Sequence, residues 1–443
     1  MSRVQLISCH PPQLLPNQKI EAAHFRVWQF LEPLLRAGHE VLLCAGGGQE
    51  TATPLPTVDS AFGKARVQYR HIPFGKRGWI SSLQRAHDHF GPKCVVAVNF
   101  SHCLYATKLR TTRPVWMDIY GDMVTIQQAY CHRVGSNRGM PTTLAFLRRV
   151  LNYGDIFSVC GQPQRHMLVG ELAMCGRLNH RTFGYEFTRV LLPGCPELPP
   201  PQDRQSVRAR LGLGKDDFVV LWCGGYNTWT DVDTLFRALE WAMDRHPRLH
   251  YVSVGASTYA SPDSMYARLL SRIEDSAHRH RFHMLGWQPW QEIPDYYRES
   301  DVGLNIDAMH YETIYGTRTR VVEMIAAGLP IITTTGTELS FLLERLGAAK
   351  TFEVADWRQL GHQLVELASD PEARKGLAEA ALRSAQEQFS FMKTTECLQA
   401  WAQSPSLSPD SPRRAKQDRV ASAQNRLRTV IRGLIWQITG TDK

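Results

Sequence analysis

Apolar and polar positions along the chain repeat in an alternating order. Residues 4–9 are a short apolar run and read as a strand. Over 21–37 the apolar side chains recur at helical spacing. Ala22, Phe25, Trp28, Phe30, Leu31, Leu34 and Leu35 form the face that would meet a core, and Pro33 marks the expected kink. Gly38 stops that helix and 39–43 is the next strand. Strand, helix, strand is a βαβ unit, which builds a parallel sheet. The alternation continues with strands predicted at 67–72, 94–99, 115–119 and 156–160. Helices are predicted near 81–90, 143–151 and 163–173.

Five prolines between 193 and 201 interrupt this order and read as a linker. A second alternation follows. Strands are predicted at 218–222, 251–254, 282–285, 302–306 and 330–333. Helices are predicted at 232–242, 264–276, 293–299 and 317–327. Two Rossmann-like halves joined by a Pro-rich linker are therefore expected, with ligands in the groove beyond the carboxyl ends of the strands. Residues 357–388 read as helices, and 404–412, rich in Ser and Pro, as disordered.

Composition narrows the class. The chain has 443 residues, 43% apolar and 21% charged, with no apolar run long enough to span a bilayer. Residues 1–10 lead directly into a strand without a secretory-signal pattern, so a cytoplasmic setting is expected. Ten scattered cysteines lack metal or disulfide spacing and read as reduced structural thiols. The net charge of +9 is concentrated at the end: residues 404–443 hold eight Lys/Arg against three Asp/Glu. The remainder is mildly basic, which argues against a nucleic-acid enzyme. Within the tail, 424–438 places Leu427, Val430, Ile431, Leu434, Ile435 and Ile438 on one helical face. Arg426, Arg428, Arg432 and Trp436 accompany them, a pattern suited to an anionic membrane surface or to a protein surface.

The most informative stretch is 318–334, RTRVVEMIAAGLPIITT. Arg320, Glu323 and Ala327 fall near one another on a helix that Gly328-Leu329-Pro330 ends. The positive end of that helix suits a diphosphate, and Glu323, among apolar neighbours, needs donors that sugar hydroxyls supply. This stretch resembles the C-terminal signature of family-four retaining glycosyltransferases, with a glutamate and Ala-x-Gly-x-Pro at this spacing. Arg36–Val41, Arg208–Leu213, Leu285-Gly286-Trp287, Ser300–Leu304 and Phe389-Ser390-Phe391 resemble further family segments in the same order, covering most of residues 1–400.

The resemblance implies the α/β GT-B fold: two Rossmann-like domains facing each other across a cleft. The expected divisions are an acceptor domain at 1–194, a donor domain at 202–388, a helix crossing back at 389–403 and a basic tail at 404–443. It implies a hexosyltransferase-type enzyme without metal or other cofactor, moving a sugar from a nucleotide-sugar to a glycan or lipid-linked acceptor. It implies that Glu323 binds the donor ribose and that Trp287 lies at the base loop. Donor contacts are expected at Arg318, Arg320, Gly224, Gly225, Tyr226, Asn227, Gly316 and Thr317, with Asp118, Asp122 and Glu312 as catalytic candidates.

Two departures bear on activity. Tyr315 stands where the family carries its first glutamate, with Glu312 three residues earlier, and the 224–231 loop carries no Arg or Lys for the donor phosphates. Arg318 and Arg320 are the substitutes. Asp231-Val232-Asp233 reads as helix capping. A non-catalytic partner subunit and a nucleotide-sugar epimerase on the same fold remain the rival readings.

Overall fold

A computed structural model describes residues 1–15, 19–46, 66–200, 205–259, 261 and 263–411. Residues 424–438, with their amphipathic pattern, lie outside the described residues.

The first sheet is formed by β1 (Arg3–Ser8), β2 (Glu40–Ala45), β3 (Val67–His71), β4 (Cys94–Val98), β5 (Val115–Asp118), β6 (Ile156–Val159) and β7 (Thr188–Val190), in the order β3-β2-β1-β4-β5-β6-β7. The second is formed by β8 (Phe218–Cys223), β9 (Leu249–Val254), β10 (Phe282–Gly286), β11 (Val302–Asn305), β12 (Ile331–Thr334) and β13 (Ala349–Phe352), in the order β10-β9-β8-β11-β12-β13. Every pairing within them is parallel. Both sheets reverse direction beside their first strand, which leaves a crevice at the carboxyl edge there.

Consecutive strand residues divide between the two faces of each sheet. Ile7, Leu42 and Val95 pack on one side of the first sheet, and Leu6, Leu43 and Val96 on the other. Leu221 and Val252 lie on one side of the second, Val220 and Tyr251 on the other. Continuous apolar runs are what a sheet covered on both faces requires. The edge strands β7 and β13 have no such run, because fewer of their side chains are covered. The helix Ala22–Arg36 continues through Pro33.

The chain returns to the first domain after its second sheet. Cys195 N–H donates to Phe389 O at 2.6 Å. Leu398 and Ala402 of the helix Glu396–Gln403 then join the core around Val4 and Phe30. The next residues depart from the disorder expected for 404–412. Ser408 N–H donates to Asp155 at 3.1 Å, and Asp410 accepts from Arg177 at 2.7 and 3.0 Å. Arg177 and Asp410 side chains are each about 6% exposed, and a buried cation with its partner removed is costly. Asp410→Ala is expected to destabilise the protein by about 3 kcal/mol, read as a lowered urea midpoint.

Candidate functional site

The two domains enclose a cleft of about 430 Å³. Its donor-side wall begins where β8 ends. Gly224 has φ +119°, a conformation open to glycine, and a Cβ on Gly225 would sit 2.3 Å from Thr258 Cγ2. The backbone can therefore line the cleft directly, followed by Asn227. Tyr226 turns the other way. It is fully buried, bonded to Tyr251 and Ser253 at 2.8 and 2.6 Å. Its expected donor contact is corrected to a core role.

The opposite part of that wall is the helix Thr319–Ala326, which begins at the cleft. Glu323 is buried but lines the cleft, and Tyr297 Oη donates to its Oε2 at 2.9 Å. Burial pushes its carboxyl pKa up to about 7, with the Tyr297 hydrogen bond and Arg320 opposing. Arg320 lies one turn nearer the helix start. Its Nη2 donates to Gly225 O at 2.9 Å and its guanidinium covers the Trp222 ring at 4.1 Å. Arg320 Nη1 and Thr317 Oγ1 are shielded from solvent without a hydrogen-bond partner among the described residues. Arg320 also has no carboxylate in ion-pair contact there, and burial works against its charge. A guanidinium nitrogen and a hydroxyl left unbonded at a helix N-terminus form a receptor for an anion.

Arg318 does not share this availability. Its guanidinium accepts no freedom: it donates to Asp307 at 2.8 Å and to both Glu312 oxygens at 3.1 and 2.9 Å, and is about 5% exposed. Two carboxylates hold it charged, and it lines the cleft as part of that cluster. Glu312 faces the cleft, yet it is committed to the same cluster instead of standing free as a base. Gly316 is absent from the lining; a Cβ there would lie 2.5 Å from Glu312 O. Thr317 and Trp287 do line the cleft.

The first-domain wall comes from Ile20, Glu21, Ala22, Ala23, Phe25 and Tyr120. Asp118 is not on it. It is fully buried and accepts Arg26 Nε at 3.0 Å, Arg26 Nη2 at 2.7 Å and Ser158 Oγ at 2.6 Å. Asp122 accepts Thr125 N–H at 2.6 Å and caps the helix Met123–Val134. The catalytic expectation for both aspartates is corrected: one neutralises a buried arginine and the other closes a helix end. Asp231 likewise caps the helix Val232–Arg245, accepting Thr234 N–H at 3.0 Å.

Sequence reasoning missed several groups in and beside the cleft. Tyr297 becomes visible only as the partner of Glu323, since it lies 26 residues away. Lys19, from the first domain, places Nζ 4.0 Å over the Trp287 ring of the second and pairs with Glu21 at 2.8 Å. Tyr120 Oη reaches Thr319 Oγ1 across the cleft.

Two parallel doubly wound sheets facing a shared cleft define the GT-B class. Residues 217–370 match the family described as Glycosyl transferases group 1, so the second domain is a glycosyltransferase group 1 domain. Solved structures resemble the whole chain. Sucrose-phosphate synthase from Thermosynechococcus elongatus is 17% identical, with a TM-score of 0.65 over 91% of this chain and 99% of that one. HepE from Anabaena, in complex with UDP and glucose, is 15% identical, with a TM-score of 0.65 over 91% and 100%. WaaG, a glycosyltransferase involved in lipopolysaccharide biosynthesis, is 13% identical, with a TM-score of 0.59 over 89% and 98%. No curated protein matches the chain by sequence. Among the described residues no helix is long and apolar enough to cross a membrane.

Proposed function

We propose that the chain transfers a hexosyl group from a nucleoside diphosphate sugar to a glycan acceptor, with retention at the anomeric carbon. The observation that carries this reading is the Glu323–Tyr297 pair facing the cleft beside the unpartnered Arg320 Nη1. A carboxylate accepts both hydroxyls of a ribose, and a cation at a helix start receives the diphosphate. Those two groups lie about one helical turn apart on one element, the separation at which they meet adjacent parts of a nucleotide.

The engaged carboxylates also bear on stereochemistry. Asp118 and Glu312 are bound to arginines and Asp122 to a helix end, so none serves as a free base. In the proposed reaction the bond from the anomeric carbon to the phosphate oxygen breaks and the bond to the acceptor oxygen forms on the same face. The acceptor proton passes to the departing phosphate oxygen, which Arg320 steadies. This route needs neither a protein base nor a metal.

The test is thermal shift with UDP-, GDP-, TDP- and CMP-sugars. UDP-glucose comes first, because it is the ligand named for one HepE structure. One nucleotide class is expected to raise the melting temperature, an effect lost in Glu323→Ala. Arg320→Ala is expected to weaken nucleoside diphosphate binding about tenfold while leaving nucleoside binding unchanged. A flat panel with wild type overturns the donor-site assignment. Among the described residues, Arg320 is the one cleft-lining arginine without an ion-pair partner, and so few cations favour one rival, a non-catalytic partner subunit. Nucleotide binding without release of nucleoside diphosphate in the presence of acceptor glycans is the result that supports it.

A further inference from the structure

A second cavity, of about 450 Å³, lies between the two domains beside the cleft. The two share their walls. In the loop after β8, Asn227 and Trp229 line the cleft, while Thr228 between them lines the second cavity. In the helix Tyr311–Tyr315, Glu312 lines the cleft, while Tyr311 and Ile314 line the second cavity. The first domain contributes Gln128 and His132, one turn apart on the helix Met123–Val134. The volume falls within the ~300–1,000 Å³ that small-molecule sites occupy.

The second-domain side is held in place by its own hydrogen bonds. Ala308 N–H donates to Trp229 O at 2.8 Å, which joins the two wall segments. The fully buried Thr313 donates from Oγ1 to Ala308 O at 2.7 Å, which fixes the short helix. With Thr313 facing inward, Tyr311 is left outward, 57% exposed, its ring stacked on Tyr315 at 6.2 Å and 17°. Met309, 52% exposed, adds a second apolar surface to the lining.

This lining offers nothing to an ionic ligand. Among the described residues that form it there is no Lys, Arg, Asp or Glu. Burial lowers the His310 pKa, with Arg318 and His132 assisting and Asp307 opposing, so that ring is neutral at pH 7. Gln128, His132, Thr228 and His310 make no side-chain hydrogen bond among the described residues, which leaves their donors and acceptors for a ligand. An exposed aromatic face beside neutral amide, imidazole and hydroxyl groups fits a ring with apolar C–H faces and hydroxyls on its edge, which is a pyranose. A phosphate or a carboxylated sugar finds no counter-charge there.

We propose that this cavity binds the acceptor as a neutral saccharide, Tyr311 and Met309 receiving a ring face and Gln128, His132, Thr228 and His310 the hydroxyls. The acceptor role rests on the sugar-transfer reading, whereas saccharide binding is measurable without it. Because the walls are shared, a sugar held here lies against the segments that carry Asn227 and Glu312 on their cleft side.

Saturation-transfer NMR with the full-length protein tests it. The probes are maltose, cellobiose, lactose and diacetylchitobiose, with glucuronic acid as the charged control. At least one disaccharide is expected to receive saturation, and glucuronic acid none. Tyr311→Ala and Gln128→Ala alter exposed side chains and are expected to keep the wild-type melting temperature. Each is expected to weaken that disaccharide about tenfold, while the thermal shift given by nucleoside diphosphate sugar keeps its wild-type size. Silence from every disaccharide overturns the proposal, as does equal disaccharide binding by Tyr311→Ala and wild type. In both cases a persisting nucleotide shift leaves the donor-site assignment standing. A disaccharide bound through Tyr311 by a protein that shows no nucleotide shift supports the saccharide site and overturns its acceptor role.

Discussion

Replacing Asp118 with alanine is expected to lower stability by about 3–5 kcal/mol, which for domains of this size is a fall in melting temperature on the order of 10 °C. Asp118 is the counter-ion of Arg26, which is 2% exposed and also donates to Gln29 at 2.9 Å and Leu191 O at 2.9 Å. One ion pair thus joins the helix Ala22–Arg36, strands β5 and β6 through Ser158, and the crossover segment at Leu191. Taking away the carboxylate leaves a guanidinium buried without a charge partner, which is far more costly than replacing both members together. The double variant Arg26→Met/Asp118→Ala is therefore expected to recover a large part of the loss in urea denaturation. An Asp118→Asn protein with wild-type stability and abolished sugar transfer would falsify this reading and restore the aspartate as a catalytic base.

Glu323→Gln is expected to move stability and function in opposite directions. The carboxyl pKa rises from an ordinary 4.5 to about 7 on folding, because burial penalises its ionised form. The sign follows from linkage. A folded pKa above the unfolded one contributes stability that is fully present below about pH 4.5 and is lost as pH rises through about 7. At pH 8 the ligand-free protein therefore carries an ionised buried group that glutamine does not have. The variant is expected to be the more stable protein at pH 8, by roughly 2–3 kcal/mol, with the difference vanishing near pH 4.5. Donor binding reverses the order. Wild-type affinity for nucleoside diphosphate sugar is expected to rise from pH 6 to 8, as the carboxylate becomes able to accept both ribose hydroxyls. The variant is expected to bind roughly a hundredfold more weakly, without that pH dependence. Paired calorimetric titrations and melts at pH 5, 6.5 and 8 measure both effects. A variant whose donor affinity matches wild type at pH 8 removes Glu323 from the site.

Much of this architecture was legible from the order of apolar runs. Runs such as Val95–Val98 have to be covered on two sides, and the glycine and proline stops between them set the βαβ rhythm. Two of the four edge strands were not legible, because Ala349–Phe352 and Thr188–Val190 carry too few apolar side chains to distinguish a strand from a turn. The docked segment after Ser404 escaped for a similar reason. Ser408 and Asp410 are held by polar contacts to Asp155 and Arg177, more than 200 residues away, and composition alone reads such a stretch as loose chain.

Taken by itself, the sequence determined two doubly wound parallel sheets, the linker between them and a carboxylate at position 323 in a helix that opens on their cleft. These follow from periodicity and from local stops, both properties of neighbours in the chain. Tertiary structure decided which charges remain at the disposal of a ligand. Asp118 meets Arg26 across 92 residues, and Arg318 is enclosed by Asp307 and Glu312, while Arg320 retains an unpartnered nitrogen. The free energy of a buried charge depends on what stands within a few ångströms of it, and chain distance carries no record of that.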